Sequence, residues 1–202
     1  GSGVAGPGGA QVVDATGKWV TPGLFAGFSR LGLVEVEAVN ETNDSSASRG
    51  EFSAAIDVTP AINPKVSAVA VNRAAGITRA VVAPIAPAAI FAGMGAVIDL
   101  GDDYNAVTKG RAFQFVELGE TGSAKAGGSR ASAFLEFRNA LIEARALANG
   151  QRGVPAHPHD ALLNRQDAAA LVPVVNGEMR LLVHVERAAD ILNVLKLREE
   201  FP

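Results

Sequence analysis

The segment from Asn63 to Pro84 constrains this chain more than any other. Asn63 is a good helix-capping residue, and Pro64 suits the first helical position. Val66, Val69, Ala70 and Ala74 then recur at helical spacing. Gly76 suits the left-handed residue that ends a helix. Ile77 to Ala83 follows as an alternating, β-branched run, and Pro84 stops it. Helix, tight turn and buried strand, in that order, are half of a βαβ repeat.

The remaining segments fit the same plan. Leu24–Phe28, Ala96–Leu100, Phe113–Leu118 and Leu181–Val185 read as short strands. Residues 132–148 read as a helix with Phe134, Phe137, Leu141, Ala144 and Ala148 on one face, ended by Asn149-Gly150. Ala188, Ile191, Leu192 and Leu195 build a last helix that is charged on its other face. Residues 40–53, 119–130 and 150–160 read as loops. The stretch from Asp167 has two readings: a hairpin with an Asn176-Gly177 turn, or a helix capped by that pair, which the three alanines favour. Near the start, Ala10–Val13 and Lys18–Val20 flank a turn at Asp14–Gly17, as a hairpin or as two edge strands. Strands alternating with helices predict an α/β fold with a parallel sheet. Four or five such units are too few for a closed eight-stranded barrel of ~250 residues, but suffice for an open sheet or half a barrel.

Composition narrows the function classes. The 202 residues are 48% apolar and 19% charged, enough apolar content for a packed core. With no cysteine there is no disulfide and no thiolate ligand or nucleophile. A net charge of −3 without a basic block argues against nucleic acid as a partner. No apolar run approaches the ~20 residues of a membrane span. The absence of an initiator Met and of a signal-peptide pattern makes the start read as cut or processed.

Several residues invite a chemical reading. His184 sits inside the apolar run Leu-Leu-Val-His-Val, just before a helix. Strand C-terminal ends carry the sites of parallel α/β folds. The plain alternative is a buried imidazole satisfied by hydrogen bonds. His157, His159 and Asp160 could form a metal site in a loop, against a reading as incidental loop residues. Gly27-Phe-Ser29-Arg-Leu-Gly32 fails as a nucleophile elbow, because Leu31 stands where glycine is required. Gly122 and Gly127 have phosphate-loop spacing, but Gly128 replaces the lysine. Gly93-Met-Gly95 lacks the third glycine of a dinucleotide fingerprint. Glu35, Glu37 and Glu41 read as a solvated edge.

Three segments together resemble the metal-dependent amidohydrolase superfamily, in its imidazolonepropionase-like, often exported branch. Val12-Val-Asp-Ala-Thr-Gly-Lys-Trp-Val-Thr-Pro-Gly-Leu24 is similar to the family's passage from a small β-sandwich into barrel strand 1. Ala74-Ala-Gly-Ile-Thr-Arg-Ala-Val-Val82 resembles its helix-to-strand step. Val183-His-Val-Glu-Arg-Ala-Ala-Asp-Ile191 resembles a later strand bearing a histidine ligand. Gly93–Ile98 and Ser129-Arg130 before the long helix also fit that branch.

The resemblance implies residues 1–20 as a remnant of the sandwich and residues 21–202 as the N-terminal half of a (β/α)8 barrel. It implies hydrolysis of C–N bonds in a cyclic amide or peptide-like small-molecule substrate, with a zinc-like divalent metal. It also implies a periplasmic or secreted location. His184 aligns with one metal ligand. The family's His-x-His pair is replaced here by Phe28 and Arg30. Phenylalanine cannot ligate, and a guanidinium repels a cation. The metal site therefore reads as degraded. The alternative is a non-catalytic small-molecule binding or scaffold module, with Arg30 holding a substrate carboxylate. A half barrel leaves open strand edges, so a second copy or a C-terminal half is expected to cover them.

Overall fold

The computed structural model describes residues 6–86, 88–150 and 161–201. Five strands form one sheet in sequence order: β1 Leu24–Ser29, β2 Ile77–Val82, β3 Phe91–Asp99, β4 Val107–Glu117 and β5 Arg180–His184. Among the described residues five α-helices accompany them: α1 Ser67–Ala74, α2 Glu120–Lys125, α3 Arg130–Ala148, α4 Arg165–Val175 and α5 Ala188–Glu200. The β1–β2 and β4–β5 pairs are parallel, whereas β3 runs antiparallel to both of its neighbours. The expected wholly parallel sheet is thus a mixed one. The reason is length: a parallel crossover needs a dozen or more residues. The links 83–90 and 100–106 are too short for one and reverse the chain directly.

The sheet curls strongly. Phe28 on β1 and Phe115 on β4 lie on strands separated by two others, roughly 14 Å apart along a flat sheet. Their ring centroids are only 5.3 Å apart, so the rings meet across a concave inner face. Phe113, Phe115, Ala83, Ala92 and Leu182 pack on that inner side. Gly95 lets the sheet accept Phe113, because a Cβ there would run into the ring. On the outer side two cores form. Val69 of α1 covers Ala80, Val82, Ala96 and Ile98. Phe134, Phe137 and Leu141 of α3 join Leu171 of α4 and Leu197 of α5 over Phe91 and Val116. The shape is a curled half barrel.

Local chemistry explains most element boundaries. α1 begins at Ser67 rather than at Pro64. The Asn63 side chain accepts from the Lys65 amide at 3.0 Å, a local turn that delays the helix. Gly76 ends α1 with φ +94°. The Ser129 hydroxyl caps α3 at the Ala131 amide. The ambiguous stretch is helical. The Asn164 side chain accepts from the Asp167 amide at 2.9 Å, and Gly177 follows the helix at φ +75°. Pro173 sits inside α4, two residues before its end.

Asp167 is 3% exposed and accepts from the Ser53 and Ala55 amides, which fastens the long 50s link to α4. Within the 119–130 loop, Glu120–Lys125 forms the short α2.

Three expectations change. Leu24–Phe28, a short apolar run that reads as a buried strand, forms instead an exposed edge strand. The Asp14–Gly17 turn is present, with the Asp14 carboxylate accepting from the Thr16 amide. The flanking runs do not pair, and Val12, Val13, Trp19 and Val20 are exposed. Ile191, Leu192 and Leu195 of α5 are exposed as well, because this helix turns Leu197 and Asp190 inward instead. Among the described residues, no helix is long and apolar enough to cross a membrane.

Candidate functional site

Glu117 and His184 end the parallel strands β4 and β5 and stand opposite each other in the register. Alternation along each strand puts them on the same inner face as Phe115 and Leu182, two residues earlier. The His184 Nδ1 lies 2.7 Å from Glu117 Oε2. The Glu117 side chain is 11% exposed and that of His184 is 50% exposed. The backbone ties the two ends together, since the Leu118 and Gly119 amides both donate to the His184 carbonyl.

A second acid approaches from the β5–α5 turn. Glu186 Oε1 lies 4.0 Å from His184 Nδ1, and Glu186 Oε2 accepts from the Glu120 amide at 2.9 Å. Gly119 makes this approach possible, because a Cβ there would strike the Glu186 carboxylate. Gly122 packs on the Glu117 carbonyl in the same way. Its phosphate-loop spacing therefore reflects close packing at this turn. Beneath the turn, the buried Asp190 accepts a two-pronged contact from Arg187, at 2.6 and 2.8 Å, and a third bond from Arg130 at 3.1 Å. The Arg187 hydrogen bond, with both guanidinium charges, holds the Asp190 carboxyl below its ordinary range. This cluster pins α5 to α3 directly behind the His184 strand end.

Arg30 follows β1 by one residue and makes no ion pair among the described residues. It lines an open cavity of about 1080 Å³ between β1, α1 and the 31–45 link, together with Glu35 and Glu37. His184 does not line that cavity, so Arg30 and His184 are not brought together. Glu35 is engaged by the Asn63 amide group. The Ser29 hydroxyl donates to the Val81 carbonyl at 2.8 Å, in keeping with the failed nucleophile pattern. His157, His159 and Asp160 lie outside the described residues.

The described residues do not bring together the donor set that the resembled family's metal would take. The bond from His184 Nδ1 to Glu117 leaves Nε2 as the one free ring nitrogen, and the Glu186 carboxylate is held by an amide. No group of three metal-capable side chains forms among the described residues. A zinc-like site takes at least three anchored protein donors.

The sequence reading missed Glu117. The signal was present: a lone carboxylate closing the apolar run Phe113–Leu118, just before Gly119. It is the same kind of signal that singled out His184.

No family model matches this chain, and no curated protein matches it in sequence. A crystal structure of an amidohydrolase from Thermotoga maritima MSB8 is similar in fold, with a TM-score of 0.82 and 21% identity. The match covers 100% of this chain and 54% of that one, so this chain spans about half the length of that structure. The fold is therefore amidohydrolase-like.

Proposed function

We propose that this chain is an amidohydrolase-like protein whose parent activity is hydrolysis of C–N bonds in a cyclic amide or peptide-like substrate, and whose metal site is degraded. The observation that carries the reading is at the mouth of β1. There the Phe28 ring packs on Phe115, where the resembled family has a metal-binding imidazole. Hydrolysis in that family depends on a metal that polarises the carbonyl and generates hydroxide. The described residues offer Glu117 and His184 alone at hydrogen-bond distance, too few to anchor it.

The second reading, a binding module, is favoured by Arg30. Among the described residues its guanidinium forms no ion pair, and it lines a large cavity, suited to a carboxylate-bearing small molecule. Elemental analysis of the purified protein, beside a His184→Ala control, tests the primary reading. The expected result is no stoichiometric zinc-like metal in either protein. About one ion per chain that disappears in the control would refute the degraded site and justify a hydrolase screen. Binding of a dicarboxylate such as succinate, lost in Arg30→Ala, would establish the second reading.

A further inference from the structure

A second cavity lies away from both edges of the sheet. It measures about 330 Å³ and sits between the 47–53 link, α3 and the start of α4. Neither β1, β5 nor α5 contributes to its wall, and it shares no residue with the Arg30 cavity. Its size falls within the ~300–1,000 Å³ of small-molecule sites. The wall is apolar at Phe52, Phe91, Leu162 and Leu163, and acidic at Glu51 and Glu136. Among the described residues no lysine or arginine lines it.

Glu136 is the group that the fold does not use. Its neighbour on α3, Glu143, stands seven residues later, about two turns along the same side. The Glu143 carboxylate accepts from the Leu162 and Leu163 amides at 2.8 and 3.0 Å, which fastens that segment to α3. Glu136 is half-buried, and among the described residues it has no hydrogen bond and no ion pair. Burial alone pushes its carboxyl above the ordinary range. The nearby donors are committed elsewhere. The Asn164 side-chain amide donates to the Glu51 carbonyl at 3.1 Å and to Asp167 at 2.7 Å. The Ser53 hydroxyl donates to Asp167 at 3.3 Å. The cavity therefore combines an apolar wall with a surplus of negative charge.

We propose that this cavity binds a small primary ammonium compound with an apolar body, the ammonium donating to the Glu136 carboxylate and the body packing against Phe52, Leu162 and Leu163. An ammonium carries three donors and no acceptor, so it matches a wall whose unfilled groups are acceptors. A charge-assisted hydrogen bond compensates the partly desolvated carboxylate, which no group of the fold does. Glu51 adds attraction for a cation and rejects an anion. The ligand class is thus opposite in charge to the one that suits Arg30. At about 30 Å³ per water-sized volume, the cavity takes a body on the order of ten heavy atoms. The proposal goes beyond the amidohydrolase-like reading and does not depend on metal content.

Isothermal titration calorimetry with phenethylamine, protonated at neutral pH, tests it. The parent should bind with a one-site, saturable isotherm. Glu136→Gln should bind about 10-fold more weakly or worse, with a parent-like circular dichroism spectrum. 2-Phenylethanol keeps the body and loses the charge, and should bind the parent about 10-fold more weakly than the amine or worse. Phe52→Ala alters a side chain that is 48% exposed, and should weaken amine binding by about 5-fold. Absence of saturable amine binding to the parent would overturn the proposal. So would equal affinity in a folded Glu136→Gln, or an alcohol that binds as tightly as the amine. The alcohol comparison uses the parent protein alone, so it decides the matter even if Glu136→Gln loses its fold.

Discussion

Replacing Asp167 with alanine should detach the long 50s link from the helical side of the half barrel. The Asp167 carboxylate is 3% exposed and accepts four donor groups. The Ala55 amide donates at 2.7 Å and the Ser53 amide at 3.0 Å. The Ser53 hydroxyl donates at 3.3 Å and the Asn164 side-chain amide at 2.7 Å. Ala54, between the two tethered amides, is wholly buried in the core with Phe91 and Leu171. Water therefore cannot easily take the carboxylate's place.

Each buried donor left without a partner costs about 1–3 kcal/mol, so two stranded backbone amides cost about 2–6 kcal/mol. Relief from burying a charge offsets part of this. The net expectation is about 3 kcal/mol of lost stability. Asp167→Asn keeps one acceptor oxygen and should lose about half as much. Urea unfolding reads the difference directly. At roughly 2 kcal/mol per molar of urea, the alanine midpoint should fall by about 1.5 M with the slope unchanged. An alanine midpoint within about 0.3 M of the parent would refute the reasoning. It would mean that the link is held by Ala54 packing alone.

Other outcomes follow from the same contacts. Gly95→Ala should cost about 1–3 kcal/mol, because the new methyl group must displace the Phe113 ring from the inner face; a thermal melt should fall accordingly. Phe28→Ala should cost about 1–1.5 kcal/mol, well below a core aromatic, since Phe28 is 51% exposed and its main contact is Phe115; equal loss in a Phe115→Ala comparison would contradict the exposed-edge assignment. Arg187 and Arg130 lower the folded Asp190 pKa, so the stability they confer is present above the unfolded value of 3.8 and is lost as pH falls through the depressed folded value. Arg187→Ala should therefore flatten the drop in urea midpoint below about pH 4, and an unchanged acid limb would count against the cluster.

Much of this architecture was legible in the residues. Gly76 and the β-branched run after it dictate the α1–β2 step, because a left-handed helix end and an alternating strand are local demands. The face Phe134, Phe137, Leu141 and Ala144 is the one that α3 buries. His184 stands at a strand end, as its apolar setting indicated. Other features were hidden because they depend on partners distant in sequence. Glu117 acquires meaning only when β5 pairs beside β4 and brings His184 within 2.7 Å, 67 residues away in the chain. Arg30 and His184 are kept apart because the strand order puts β1 and β5 at opposite ends of the sheet.

The line between the two kinds of information follows the range of the forces involved. Caps, turns and periodicity act over a few residues, so composition and spacing are enough to decide helix ends and strand cores. Strand direction, burial and charge pairing require knowing what lies across the sheet. Short links turned β3 antiparallel, and curling brought Phe28 onto Phe115. The half-barrel outline left the α5 leucines facing outward, although their pattern alone marks an inward face. An amphipathic stripe states that a surface wants covering; only the tertiary structure identifies which stripe of this chain is covered by its own elements.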